Sequence, residues 1–108
     1  MTVKELSLID GFCPLVISDG TRSVEGVYIG DLLSWVMGKA QSGDAWITIM
    51  SNINILAVAS LSDVACIILA EGVALDEEVT KTAHDKEINI ISTNLSSYEV
   101  AVMLNNAL

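Results

Sequence analysis

Basic residues are the first scarcity. Lysine and arginine together number five against fourteen aspartates and glutamates, for a formal net charge of -9. So few cations neutralise few phosphates, which argues against nucleic acid and against an anionic membrane surface as partners. The chain holds one histidine, His84, and one arginine, Arg22. A lone histidine among scattered carboxylates gives little with which to assemble an acid–base pair near neutral pH. The two cysteines, Cys13 and Cys66, neither form a disulfide framework nor share a zinc-binding spacing with His84. No cofactor or metal site is therefore expected. Proline occurs once and aromatics make up 5 %, so any core is built from Val, Ile, Leu and Ala.

Apolar residues are abundant, at 52 % against 18 % charged. That ratio excludes disorder, which needs the opposite mix. At 108 residues the expectation is a single domain over 1–108 with one modest core. The N-terminal stretch lacks the continuous apolar run of a signal peptide. The longest uncharged run, Ala45 to Ser62, is interrupted by Ser51, Asn52 and Asn54, which makes it too polar for a span of about 20 apolar residues. Both absences point to the cytoplasm.

Thr2-Val3-Lys4-Glu5 matches a capping box that opens a helix. Asp10-Gly11 ends it, and "FCPLVI" follows as a strand that Pro14 confines to an edge or to its own start. Ser18-Asp19-Gly20 turns the chain, and Thr21 to Glu25 is short enough to return as a strand. Gly26 to Ile29 reads as a buried strand. A helix over Asp31 to Ala40 puts Leu32, Leu33, Val36 and Ala40 on one side, with Asp31 as its cap. "AWITIM" and "ACIILA" are further strands, the second apolar without alternation, as when both faces are covered. A polar helix over Asp76 to Glu87 precedes a short strand at Ile88 to Ile91. Ser96 and Glu99 form a second capping box before a final helix. Strands alternating with helices specify an α/β fold: a mostly parallel sheet of four to five strands with helices on both faces, which the N-terminal strands can join antiparallel.

Between two of those strands, Ile53 to Leu61 is apolar nearly all round as a helix. A helix apolar on every side needs cover on every side. Ile53, Ile55, Leu56, Val58 and Ala59 are accordingly candidates for an interface with a second copy or another protein.

In open parallel sheets ligands sit beyond the carboxyl ends of the strands. Ser51, Asn52, Asn54, Ser92 and Thr93 fall there and offer neutral donors and acceptors for a small anion or nucleotide. Arg22 can grip a carboxylate or phosphate bidentately, although a local acid, Asp19 or Glu25, is the simpler partner. Gly38-Lys39-Ala40 fails as a phosphate loop: no glycine stands at the required distance upstream, and Ala40 replaces the hydroxyl residue that would hold magnesium. Consecutive acids Asp76, Glu77 and Glu78 fan out around a helix rather than converge.

The runs Arg22-Ser23-Val24-Glu25-Gly26, "YIGDLLSWVM", "GDAWITIMSNINILAVASLSDVACIILAEG" and "DEEV…A…EINIISTNLSSYEVAVML" together resemble DRTGG-domain proteins over most of the chain. The departures are Thr21 where the pattern has an acid, Val27 after Gly26, and "SNIN" in place of a histidine-containing turn. The resemblance implies a fold similar to the N-terminal domain of HPr kinase/phosphorylase. It also implies a non-catalytic role in regulation and assembly, such as these domains have beside CBS domains in pyrophosphatases and within long phosphate acetyltransferases. A regulatory dimerisation module is the leading expectation. A small-ligand sensor, binding a nucleotide or anion at the strand ends, is the alternative.

Overall fold

A computed structural model describes residues 1–108. Five strands, β1 (Phe12–Val16), β2 (Gly26–Ile29), β3 (Asp44–Thr48), β4 (Cys66–Leu69) and β5 (Ile90–Thr93), form one sheet in the order β1-β5-β4-β3-β2. Strands β2 to β5 run parallel and β1 joins β5 antiparallel. The α/β class, the strand number and the mixed sheet agree with the reading of the sequence. No helix is long and apolar enough to cross a membrane.

Consecutive parallel strands step across the sheet in one direction. Right-handed crossovers then place every connecting helix on the same face. Helices α2 (Leu33–Lys39), α3 (Asn54–Ser62) and α4 (Glu77–Asp85) lie there, closing a core around Val36, Trp46, Leu56, Ile67, Val79 and Ile90. After β5 the chain crosses over. Helix α5 (Ser97–Ala107) and the short α1 (Val3–Ser7) cover the other face around Leu6, Ile47, Ile68, Ile91 and Leu104. Strands β3 and β4, buried at every position, sit between the two cores.

Both capping boxes form as read. Thr2 Oγ1 accepts from Glu5 N and Ser96 Oγ from Glu99 N, while each glutamate accepts from its cap's own N–H. Pro14 lies in edge strand β1, beside an irregularity between Pro14 and Val16.

Several local readings change. Thr21–Glu25 is not a strand; Ser23 makes only an isolated bridge to Thr2. Strand β2 is not buried. The strand order puts it at the sheet edge, with Gly26, Val27 and Tyr28 half-buried and Ile29 exposed. Strand β5 begins two residues later than expected, because α4 gives way to Glu87 in the left-handed region (φ 59°) and the pairing with β1 runs on to Thr93.

Asp31 does not cap α2. The cap is Leu32, with no side-chain bond, and Asp31 Oδ1 instead accepts from Thr48 Oγ1 (2.8 Å) and Ile49 N (3.0 Å). Next to it, the Trp46 indole donates to the Gly30 carbonyl (2.8 Å). Gly30-Asp31 thus ties the end of β2 to the end of β3. Its role is to lace two strands, which neither a phosphate site nor a helix cap would do.

Candidate functional site

The six ligand-binding candidates lie in three places. Arg22 stands at the amino ends of the strands. Its Nη1 donates to Asp63 Oδ1 (3.0 Å) and its Nη2 to the Asp63 carbonyl (2.7 Å). The expected local acids, Asp19 and Glu25, are not its partners. Asp63 ends α3 in the left-handed region (φ 55°), so the guanidinium satisfies a carbonyl at a helix C-terminus, where a cation complements the dipole. Hydrogen bonds from Ser42 and then Arg22 hold the Asp63 carboxyl below its ordinary range. A polar hollow of about 350 Å³ adjoins this pair, lined among others by Asp19, Arg22, Asp63, Lys86 and Asn89. Within it Asn89 is fully used: Oδ1 accepts from Ser18 N and Asp19 N, and Nδ2 donates to the Asp19 and Ala65 carbonyls. Both groups brace the fold.

The other five lie at the carboxyl ends but not together. Ser51, Asn52 and Asn54 belong to the β3–α3 turn, where Asn52 Oδ1 accepts from Asn54 N (2.9 Å). Ser92 and Thr93 are residues of β5 rather than of a loop. Thr93, buried, donates to the Gly11 carbonyl (2.6 Å) and accepts from Leu95 N. Ser92, Thr93 and Asn94 face Gly72 and Val73 across a crevice of about 160 Å³ that Gly11 and Cys13 complete. This crevice lies at the one point where successive connections take opposite faces: the chain leaving β4 turns to α4, and that leaving β5 turns to α5.

The interface candidates also need correction. Ile55, Leu56, Val58 and Ala59 are all buried against their own sheet and neighbouring helices. Only Ile53, at the helix start, is exposed, at 44 %. One domain of this size does shelter the inward side of α3, because α2 and α4 flank it and the sheet lies beneath it; Leu61 near its end is left exposed. These four side chains are unavailable to a partner.

Exposed apolar surface gathers elsewhere, around the open edge of the sheet. Ile29 at the end of β2 is 49 % exposed, Leu32 60 % and Trp35, one turn on, 58 %. Ile49, whose N–H is held by Asp31, is exposed beside them. Along β2 a groove of about 550 Å³ runs between the strand and α5, lined mainly by Val27, Tyr28, Ile29, Ala101, Leu104 and Leu108. Lys39 Nζ sits 4.3 Å from the centre of the Trp35 ring, so this stripe carries one cation over one aromatic. The sequence signal for it is phase: Trp35 falls outside the arc of Leu32, Leu33, Val36 and Ala40 on a helical projection, although Leu32, expected on that covered side, caps the helix and is itself exposed.

No group of three or more His, Cys, Asp or Glu side chains comes together to hold a metal ion. His84 is exposed on α4. Cys66 is buried, and desolvation pushes its thiol up to about 12.

The chain matches the DRTGG domain family over residues 15–107 and belongs to that family. A solved structure supports the fold. The CBS and DRTGG domains of the regulatory region of a Clostridium perfringens pyrophosphatase, complexed with the activator diadenosine tetraphosphate, match with a TM-score of 0.66 at 17 % identity. The match covers 93 % of this chain and 46 % of that one, so the chain spans about half of its structural relative. No curated protein matches the chain.

Proposed function

We propose that this DRTGG domain is a non-catalytic regulatory module that acts through self-association. The observation that carries the reading is the band of exposed apolar side chains, Ile29, Leu32, Trp35 and Ile49, at an uncovered sheet edge. Exposed apolar side chains that flank one open edge, Ile29 from the α5 face and Leu32 and Trp35 from the α2 face, mark an interaction site. The pyrophosphatase relative, in which a DRTGG domain belongs to a regulatory region, is consistent with such a role. Size-exclusion chromatography with light scattering at about 50 µM tests it. Twice the 11.5 kDa chain mass is the expected result, and the monomer mass overturns the reading.

A second reading rests on the crevice between β4 and β5. Open α/β sheets bind ligands where successive connections leave to opposite faces, and here that point carries Ser92, Thr93 and Asn94. The lining has no basic side chain. The Thr93 hydroxyl already donates to the Gly11 carbonyl and the Ser92 hydroxyl, weakly, to that of Cys13. A ligand there would therefore rely on the Asn94 amide and the lone pairs of the hydroxyls, which suits a sugar hydroxyl. In the pyrophosphatase relative the regulatory region was captured with a dinucleotide activator, so nucleotides head the panel of a thermal-shift screen, followed by acyl phosphates. Ligand at about 100 times its Kd adds about 2.7 kcal/mol of stability. No shift across the panel removes this reading and leaves the first intact.

A further inference from the structure

The two margins of the sheet are built differently. Strand β1 carries Pro14 and an irregular register, features that discourage a further strand from pairing. Strand β2 has neither proline nor bulge nor lysine, and its register with β3 is continuous from Gly26 to Ile29. It is hydrogen-bonded on one side only. The Gly30 N–H points at the Ile47 carbonyl of β3 (3.2 Å). By alternation Tyr28 also addresses β3, and Val27 and Ile29 turn their N–H and C=O groups outward. A strand laid against β2 would find these groups ready. It would also cover the groove against α5 and the apolar group at Ile29, Leu32 and Trp35.

We infer that the occupant of this edge is β2 of a second copy, running antiparallel about a two-fold axis normal to the sheet, so that two domains share one ten-stranded sheet. The inference rests on the self-association reading and gives it a surface. A two-fold axis in that direction keeps like faces together: α5 meets α5 on one side of the seam and α2 meets α2 on the other. The residues flanking the strand are therefore self-complementary, as an isologous contact requires. Leu108 of α5 and Ile29 bracket the groove, and Leu32 and Trp35 extend the apolar band onto α2. At roughly 100 Å² for each half-exposed side chain, Ile29, Leu32, Trp35, Ile49 and Leu108 supply about 500 Å² of the ~800 Å² per partner that a standard interface needs. The backbone of β2 and the lining of its groove contribute toward the remainder. The strand itself, Gly26 to Gly30, carries no charged side chain, and exposed Glu25 and Asp31 flank it. An antiparallel seam centred on Tyr28 brings Glu25 of each copy toward Asp31 of the other, so apolar burial and backbone pairing, not charge, must hold the two copies together.

Sedimentation equilibrium on the full chain and two variants tests the inference. Ile29→Lys places a charge on an already exposed edge position and leaves the core alone. Leu61→Lys, on α3 at a residue 73 % exposed and away from the seam, is the control. The expected result is a wild-type dimer whose Kd rises at least about tenfold in Ile29→Lys and stays within about twofold in Leu61→Lys. Circular dichroism of the dilute Ile29→Lys protein is expected to match wild type. Should the variant be misfolded, Trp35→Ala replaces it, with the same expected direction. A wild-type dimer unaffected by Ile29→Lys and Trp35→Ala overturns the β2 seam but leaves self-association standing. A dimer broken by Leu61→Lys instead also overturns the seam. A wild-type monomer at about 100 µM overturns both.

Discussion

Helices α2 and α3 lie side by side on one face of the sheet and divide its apolar surface in opposite ways. By composition α3 is the greasier, with Ile55, Leu56, Ala57, Val58 and Ala59 in succession. Yet Ile55, Leu56, Val58 and Ala59 are all covered, because α3 sits at the centre of its layer with α2 and α4 beside it. Helix α2 is shorter and mixed in character, but it lies at the margin, above the open edge of β2. There Val36 alone is buried, and Trp35 and Met37 face outward. Position in the sheet order, rather than apolar content, decides which helix has surface to offer a partner.

The largest expected effects test the α3 half of this comparison. Val58→Glu places an unpaired carboxylate in the core. It is predicted to unfold the domain, seen as loss of the cooperative thermal transition, rather than to yield a folded monomer. Leu56→Ala leaves a cavity and is expected to cost about 2–5 kcal/mol in urea denaturation. Either variant remaining folded at full stability would mean that α3 is less embedded than its packing indicates.

The lacing of β2 to β3 comes next. Asp31→Ala removes the acceptor of Thr48 Oγ1, which is buried, and of Ile49 N. About 1–3 kcal/mol of stability should be lost. Asp31→Asn keeps an acceptor oxygen and is expected to retain most of it. Equal losses in both variants would show that the charge, not the geometry, matters.

A smaller effect is read from pH. The Asp63 carboxyl is depressed by Ser42 and Arg22. A group with a lowered folded value contributes stability that is present above its unfolded value, about 3.9, and lost as pH falls through the folded one. Arg22→Ala should therefore lower stability at neutral pH slightly, and the difference from wild type should shrink as pH falls below the unfolded value and in high salt. Thermal melts across pH 2 to 7 measure it. A difference that grows on acidification contradicts this sign.

Smallest of all is the effect of Trp35→Ala on the dilute, monomeric domain, expected within about 0.5 kcal/mol because the ring is already more than half in water. At high concentration the same variant should weaken association. The contrast with Leu56→Ala is the comparison of the two helices reduced to one residue each.

Much of this architecture was legible in the chain. Both capping boxes, the α/β alternation, the edge placement of Pro14 and the boundaries of α3 to within a residue follow from local spacing. The strand order was not legible, and the misplaced surfaces trace to it. With β2 at an edge, Gly26 to Ile29 loses its cover and Trp35 its neighbour; with β3 and β4 central, α3 gains both. Arg22 reaches Asp63 across 41 positions of sequence, and Asp31 reaches Thr48 across 17. No periodicity reports such partners. The ligand candidates scattered for the same reason: Arg22 stands at the opposite end of the strands from Ser92 and Thr93.

Hydrogen exchange along β2, measured at several protein concentrations, tests the central claim most directly. The account predicts that the outward amides of Val27 and Ile29 slow as concentration passes through the Kd, while Leu61, on α3 away from the seam, exchanges at a constant rate. Exchange at Val27 and Ile29 that is fast and independent of concentration, in a sample that light scattering shows to be dimeric, would contradict it.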